Sequence, residues 1–166
     1  MAASAPGPER RGSLGGSGVP DVADALRRAG FEVSVADVAS VDAMRAGLSE
    51  FMKDIEDEPR VVIHLTGQFV RSSQQSWLLQ TPDPDAKVGP NLANVGGVGL
   101  SLATILEIAG EVPGGAVVAL GREEGDAPGP GLTRGVNPRS IPQGVTVVQG
   151  DAEPVARFVA GALIEP

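Results

Sequence analysis

Two periodicities alternate along the chain. Val22, Ala25, Leu26 and Ala29 recur at helical spacing, with Pro20 or Asp21 as the start signal and Gly30 as the stop. Phe31, Val33 and Val35 then occupy every second position, the pattern of a strand with one apolar face. A second helix opens at Asp42 and carries Met44, Leu48, Phe51, Met52 and Ile55 as its stripe, ahead of an acidic end and Pro59. The run Arg60-Val-Val-Ile-His-Leu-Thr-Gly-Gln-Phe69 predicts a core strand over residues 61–65 that ends in a Gly-containing turn. Trp77-Leu-Leu-Gln-Thr-Pro-Asp83 predicts a short hairpin strand over 77–79. Thr81 to Gly99, rich in Pro, Gly, Asn and Asp, predicts a long loop. Ser101 is placed to cap a helix through Ala109 with Leu102, Ile105, Leu106 and Ile108 inward. Ala116-Val-Val-Ala-Leu120 is apolar throughout, as in a strand covered on both faces. After a Gly/Pro-rich excursion, Gly121 to Gln143, come a last strand at Val145–Val148 and a last helix at Glu153–Leu163 with Val155, Phe158, Val159 and Leu163.

Strands alternating with helices imply crossover connections. The expected fold is α/β, a three-layer α/β/α sandwich with a mostly parallel sheet. The first clear element is a helix, and Arg11–Ser17 is too Gly-rich to supply a strand before it, so the first strand is expected to be weak or missing. A gap of that kind predicts homo- or hetero-association through a sheet edge. Residues 1–18, Ala-, Gly-, Pro- and Ser-rich, are expected to form a flexible arm or cloning remnant, leaving 19–166 as a single domain. With 166 residues and 42% hydrophobic content, one domain of that size can bury a core.

Composition narrows the function classes. Aromatic residues make up only 3%, with no Tyr and one Trp, so the core must rely on small aliphatics. A formal net charge of −8 argues against a nucleic-acid partner, whose phosphates reward clustered Lys and Arg. No apolar run approaches the roughly 20 residues of a membrane span. The amino-terminal residues lack the apolar segment of a secretory signal, and the compartment is left open. Cysteine is absent, which excludes disulfides, thiolate metal ligands and any cysteine nucleophile in this chain.

The order of motifs resembles a known family. A helix ending Leu26-Arg-Arg-Ala-Gly-Phe-Glu-Val33 is followed by a second containing Asp42-Ala-Met-Arg-Ala-Gly-Leu48, then by an apolar strand running into Thr66-Gly67-Gln68. Trp77-Leu-Leu-Gln-Thr-Pro-Asp83, then Gly99-Leu-Ser-Leu102 opening a helix, then a further apolar strand complete the series. Over residues 20–121 this succession resembles the bacterial caspase-like domain of metacaspase and paracaspase-like peptidases. The resemblance implies caspase-like topology and a cysteine–histidine dyad, in which imidazole takes the thiol proton and the thiolate attacks a peptide carbonyl. Carried onto this sequence, the His position is Gln68 and the Cys position falls within a residue or two of Glu123. An amide does not titrate, and a carboxylate lacks thiol nucleophilicity. The resemblance therefore implies a catalytically inactive caspase-like domain acting as a binding, regulatory or structural module, without cofactor or metal. A fragment of a larger caspase-family protein whose function lies elsewhere is a further expectation.

Such a module would bind a protein or peptide. Trp77, Asp83 and Arg122 are candidate groove residues, although Trp77 suits filling the space beneath the hairpin better than anchoring a partner. Arg134 and Arg139 are further loop cations. A nucleotide- or dinucleotide-binding alternative rests on Gly15-Gly-Ser-Gly18, with Gly16 and Gly18 approaching a pyrophosphate and Asp37 holding a ribose hydroxyl. Against it, Asp21 occupies the place of a third glycine. Ser72, Ser73 and Thr66 lie near His64 but without a nucleophile elbow, and His64, Asp83 and Asp85 offer only one imidazole to a metal. His64, inside the strand, reads as a packed residue.

Overall fold

The computed structural model describes residues 2–4, 22–31, 35–37, 39–55, 61–136 and 141–162. Among them, five strands form one parallel sheet: β1 (Ala2–Ser4), β2 (Val35–Asp37), β3 (Val61–Gly67), β7 (Ala116–Arg122) and β9 (Val145–Asp151), in the order β2-β1-β3-β7-β9. A second, antiparallel sheet is built from β4 (Phe69–Arg71), β5 (Ser76–Leu79), β6 (Gly99–Ser101) and β8 (Thr133–Arg134), in the order β6-β5-β4-β8. The helices are α1 (Val22–Arg28), α2 (Val41–Asp54), α3 (Val95–Val98), α4 (Leu102–Gly110) and α5 (Ala152–Arg157), the last continuing as a wider π-type turn through Phe158–Ala162.

Strand alternation divides the helices between two faces. Val61, Ile63 and Leu65 of β3, with Ala116, Val118 and Leu120 of β7, meet Met44, Leu48 and Phe51 of α2 and Ile105 and Ile108 of α4. Val62 of β3 and Ala119 of β7 face the other way, onto Val22 and Leu26 of α1 and Val155 and Val159. Helices therefore cover both faces of a parallel sheet, and the unbroken apolar runs of β3 and β7 follow from that. Complete burial of each such aliphatic side chain contributes about 1.5–3 kcal/mol.

Several sequence expectations shift. The first strand, expected to be weak or missing, is Ala2–Ser4, which pairs with β2 on one side and β3 on the other and closes the anticipated gap. The expected arm therefore begins with a sheet strand; residues 5–18 lie outside the described residues. The described part of the second strand is Val35–Asp37; Phe31, expected to open it, packs against the α1 face, and residues 32–34 lie outside the described residues. Met52 is 50% exposed, because it lies one residue, about 100°, off the Met44–Leu48–Phe51 line. Ser40, not Asp42, caps α2, its hydroxyl accepting from the Ala43 amide at 3.0 Å. Gln80 adds a second acceptor there, taking the Val41 amide at 2.9 Å and tying the hairpin end to the helix start. Ser101 precedes α4 but its side chain makes no capping bond. The expected 81–99 loop holds α3, and the 121–143 excursion holds β8. Among the described residues no helix is long and apolar enough to cross a membrane.

Candidate functional site

Parallel strands deliver their carboxyl ends to one edge of the sheet, and there the chain leaves β3 and β7 side by side. Gly67 stands in register with Arg122, and the Glu123 amide donates to the Gly67 carbonyl at 2.9 Å. The strand pairing thus extends one step beyond β7 and holds Glu123 next to the turn that presents Gln68. A Cβ at Gly67 would lie 2.8 Å from Leu78 Cδ1, so a larger residue there would have to displace the end of that buried side chain. Directly after the turn the chain enters the antiparallel sheet, where the Leu79 amide donates to the Gln68 carbonyl at 2.9 Å. Gln68 is therefore fixed at the junction of the two sheets.

Around this junction lies an open cleft of about 240 Å³. Its floor is formed by Gln68 and the segment Glu123–Asp126, and one wall by Phe69, Val70, Arg134 and Gly135 of the antiparallel sheet. Arg122 and Asp151 close the side toward β9 and pair with each other at 3.5 Å. The Gln68 amide lies against Gly125 so closely that a Cβ at position 125 would overlap it. Arg134 clamps the same segment by donating from Nη2 to the Gly125 carbonyl. The lining sets four carboxylates, Glu123, Glu124, Asp126 and Asp151, against two guanidiniums, Arg122 and Arg134, which makes the cleft acidic on balance. Partial burial pushes the Glu123 carboxyl upward from its usual value.

The other expected residues fall elsewhere. Trp77, a candidate groove residue, is 7% exposed and packs with Val70, Leu79, Val95 and Leu132 between the hairpin and its flanking turns. It fills the space beneath the hairpin, as its large apolar ring favours, and does not line the cleft. Asp83 sits on an exposed turn, where its Oδ1 accepts from the Asp85 amide at 2.8 Å. It too is away from the cleft lining. Only Arg122 of the three candidate groove residues reaches the cleft. Gly16 and Gly18 lie outside the described residues. Asp37 ends β2 in register with Ser4, so β1 separates its strand from β3 and the cleft beyond. Gly125, Arg134 and Asp151 carried no motif; a Gly following a strand end beside acidic residues was the one available hint.

His64 is a different kind of polar residue. It is 3% exposed, pairs in register with Ala119, and shares a sheet face with Val62. Its Nε2 lies 3.2 Å from the Thr66 hydroxyl, while Nδ1 is buried without a hydrogen-bond partner among the described residues. Desolvation lowers its pKa from 6.5 to about 4, so the ring is neutral near pH 7. It faces the α1 and α5 layer rather than the cleft. No group of three or more metal-ligating side chains occurs among the described residues. Neither a family model nor a curated protein matches this chain.

Proposed function

We propose that this chain is a caspase-like domain whose peptidase site has lost its catalytic pair and which serves as a binding, regulatory or structural module, taking a protein or peptide segment in the strand-end cleft. One observation carries the reading. The two positions that the resemblance assigns to a His and a Cys, Gln68 and the neighbourhood of Glu123, are 55 residues apart in sequence (123 − 68) and meet at adjacent strand ends, joined by the Glu123-to-Gly67 bond. The Gln68 amide on Gly125 places the contact within two residues of Glu123. Neither side chain provides an imidazole base or a thiol, which supports the reading of a site without its reagents. What persists is a preformed recess with donors, acceptors and unpaired carboxylates on its surface, which suits an extended segment carrying basic or hydrogen-bonding groups.

The test has two arms. Purified chain incubated with peptides cleavable after Arg, Lys or Asp is expected to release no more product than buffer. Displayed random peptides panned on the chain are expected to yield binders that lose at least about tenfold in affinity to the exposed double variant Glu124→Arg with Asp126→Arg, a loss of ~1.4 kcal/mol or more. Cleavage that survives repurification and disappears in Gln68→Ala contradicts the loss of catalysis. Binders indifferent to the double variant contradict the cleft as the docking site.

A further inference from the structure

The five-stranded sheet ends differently on its two sides. At one end β2 is three residues long, a length that by itself blunts an edge. At the other, β9 runs seven residues, Val145–Asp151, in unbroken register with β7. Among the described residues nothing pairs with its outer side. The usual protections of an edge strand are missing from it: there is no Lys, no Pro and no bulge, and its single charge, Asp151, stands at the very end. Val145, Thr146, Val147 and Val148 are β-branched, the composition that favours a further strand alongside. Beside it on the α4 face, Leu106, Val136, Ile141 and Val147 line a shallow apolar notch, and Ile141 is 42% exposed.

We propose that β9 pairs antiparallel with β9 of a second copy of this chain, fusing the two parallel sheets into one. The strand is its own complement in this arrangement. Full overlap of the seven residues puts Val148 on the two-fold axis, Val147 opposite Gln149, Thr146 opposite Gly150 and Val145 opposite Asp151. The two Asp151 carboxylates then lie at opposite ends of the seam. No like-charge pair is created, which matters in a chain of net charge −8. A two-fold that makes neighbouring strands antiparallel stands perpendicular to the sheet and keeps equivalent faces together. The notch beside Leu106 and Ile141 therefore meets its own copy across the seam and gains cover for its apolar surface. The inference is independent of what the strand-end cleft binds.

Sedimentation equilibrium of the full chain, at concentrations up to about 100 μM, is expected to give twice the monomer mass of 16.8 kDa. The double variant Thr146→Lys with Gln149→Lys, at exposed positions, is expected to weaken dimerisation at least about tenfold while retaining the parent circular dichroism. The absence of native cysteine makes a second readout clean. Facing residues at a two-fold bring Cβ atoms to about 4.5–5.5 Å, near enough for oxidation of Val148→Cys to form an intermolecular disulfide after slight adjustment. The exposed-loop control Asp85→Cys is expected to remain monomeric under the same oxidation. A monomeric parent chain at these concentrations overturns the proposal, as does a dimer unaffected by the lysine pair or equal cross-linking of the two cysteine variants.

Discussion

His64 and Gln68 are four residues apart, and the difference between them separates the two regions of this molecule. His64 lies mid-strand with helices above it, 3% exposed, one nitrogen without a partner among the described residues and the ring held neutral by burial. Gln68 lies just past the strand end, where two sheets diverge around an open cleft, and its amide rests on Gly125. A titratable residue has been placed where it serves packing, and a non-titratable one where chemistry would have access. In a parallel α/β sheet the interior determines stability and the carboxyl-terminal edge determines what is bound. Polar character alone therefore does not mark a site; position along the strand does.

The sharpest way to break this division is to cut each region in turn. Ile63→Ala, beside His64 and 0% exposed, is expected to cost about 2–5 kcal/mol in denaturant unfolding, whereas Gln68→Ala at the cleft is expected to cost less than ~1 kcal/mol. Comparable losses would erase the distinction. Next in size is the pH dependence of His64. Its folded pKa of about 4 lies below its unfolded value of 6.5, so between these values the unfolded chain binds more protons. Stability is therefore full above pH 6.5, falls as the pH is lowered toward 4, and loses about 3 kcal/mol across that window from this residue. Parallel pH titrations of stability isolate the effect from the carboxylates: His64→Leu should flatten the curve by that amount, and identical curves would remove His64 from the account.

A smaller effect is expected at the cleft itself. Gly125→Ala puts a methyl group where the Gln68 amide lies, and because that amide is the end of a flexible side chain at an open cleft the expected cost is at most about 1 kcal/mol. In the background of Gln68→Ala the same substitution should be nearly silent, a coupling that a double-mutant cycle measures directly. Additive costs would mean that the contact between the two positions carries no energy.

The long patterned segments were legible in the sequence, and the short paired ones were not. β3, β7 and α4 each carry a local apolar signal that survives in the fold, as does the inward line Met44, Leu48 and Phe51 of α2. β4, β6 and β8 are two or three residues long and exist because of partners far along the chain, such as Val70 opposite Arg134. No local pattern announces such a strand. β1 is Ala-Ala-Ser, with neither alternation nor bulk, and only its place between β2 and β3 makes it a strand. At the site, Gln68 and Glu123 were located by the family resemblance, the first from the Gly67 turn that precedes it and the second, to within a residue or two, from the end of an apolar run. The clamp of Arg134 on Gly125 spans two loops and leaves no trace in spacing. A lone aromatic beside a loop reads as an anchor or, more readily, as a filler, and the burial of Trp77 decides for the filler.

Restoring the missing reagents tests the central claim most directly. The double variant Gln68→His with Glu123→Cys puts an imidazole and the chain's only thiol at the two strand ends. If these are the positions of a lost dyad, the introduced imidazole lowers the thiol pKa. Alkylation by iodoacetamide near pH 6–7 should then proceed at least about tenfold faster than in Glu123→Cys alone. Equal rates for the two variants from pH 5 to pH 9 would show that Gln68 and Glu123 do not stand where a catalytic pair once stood.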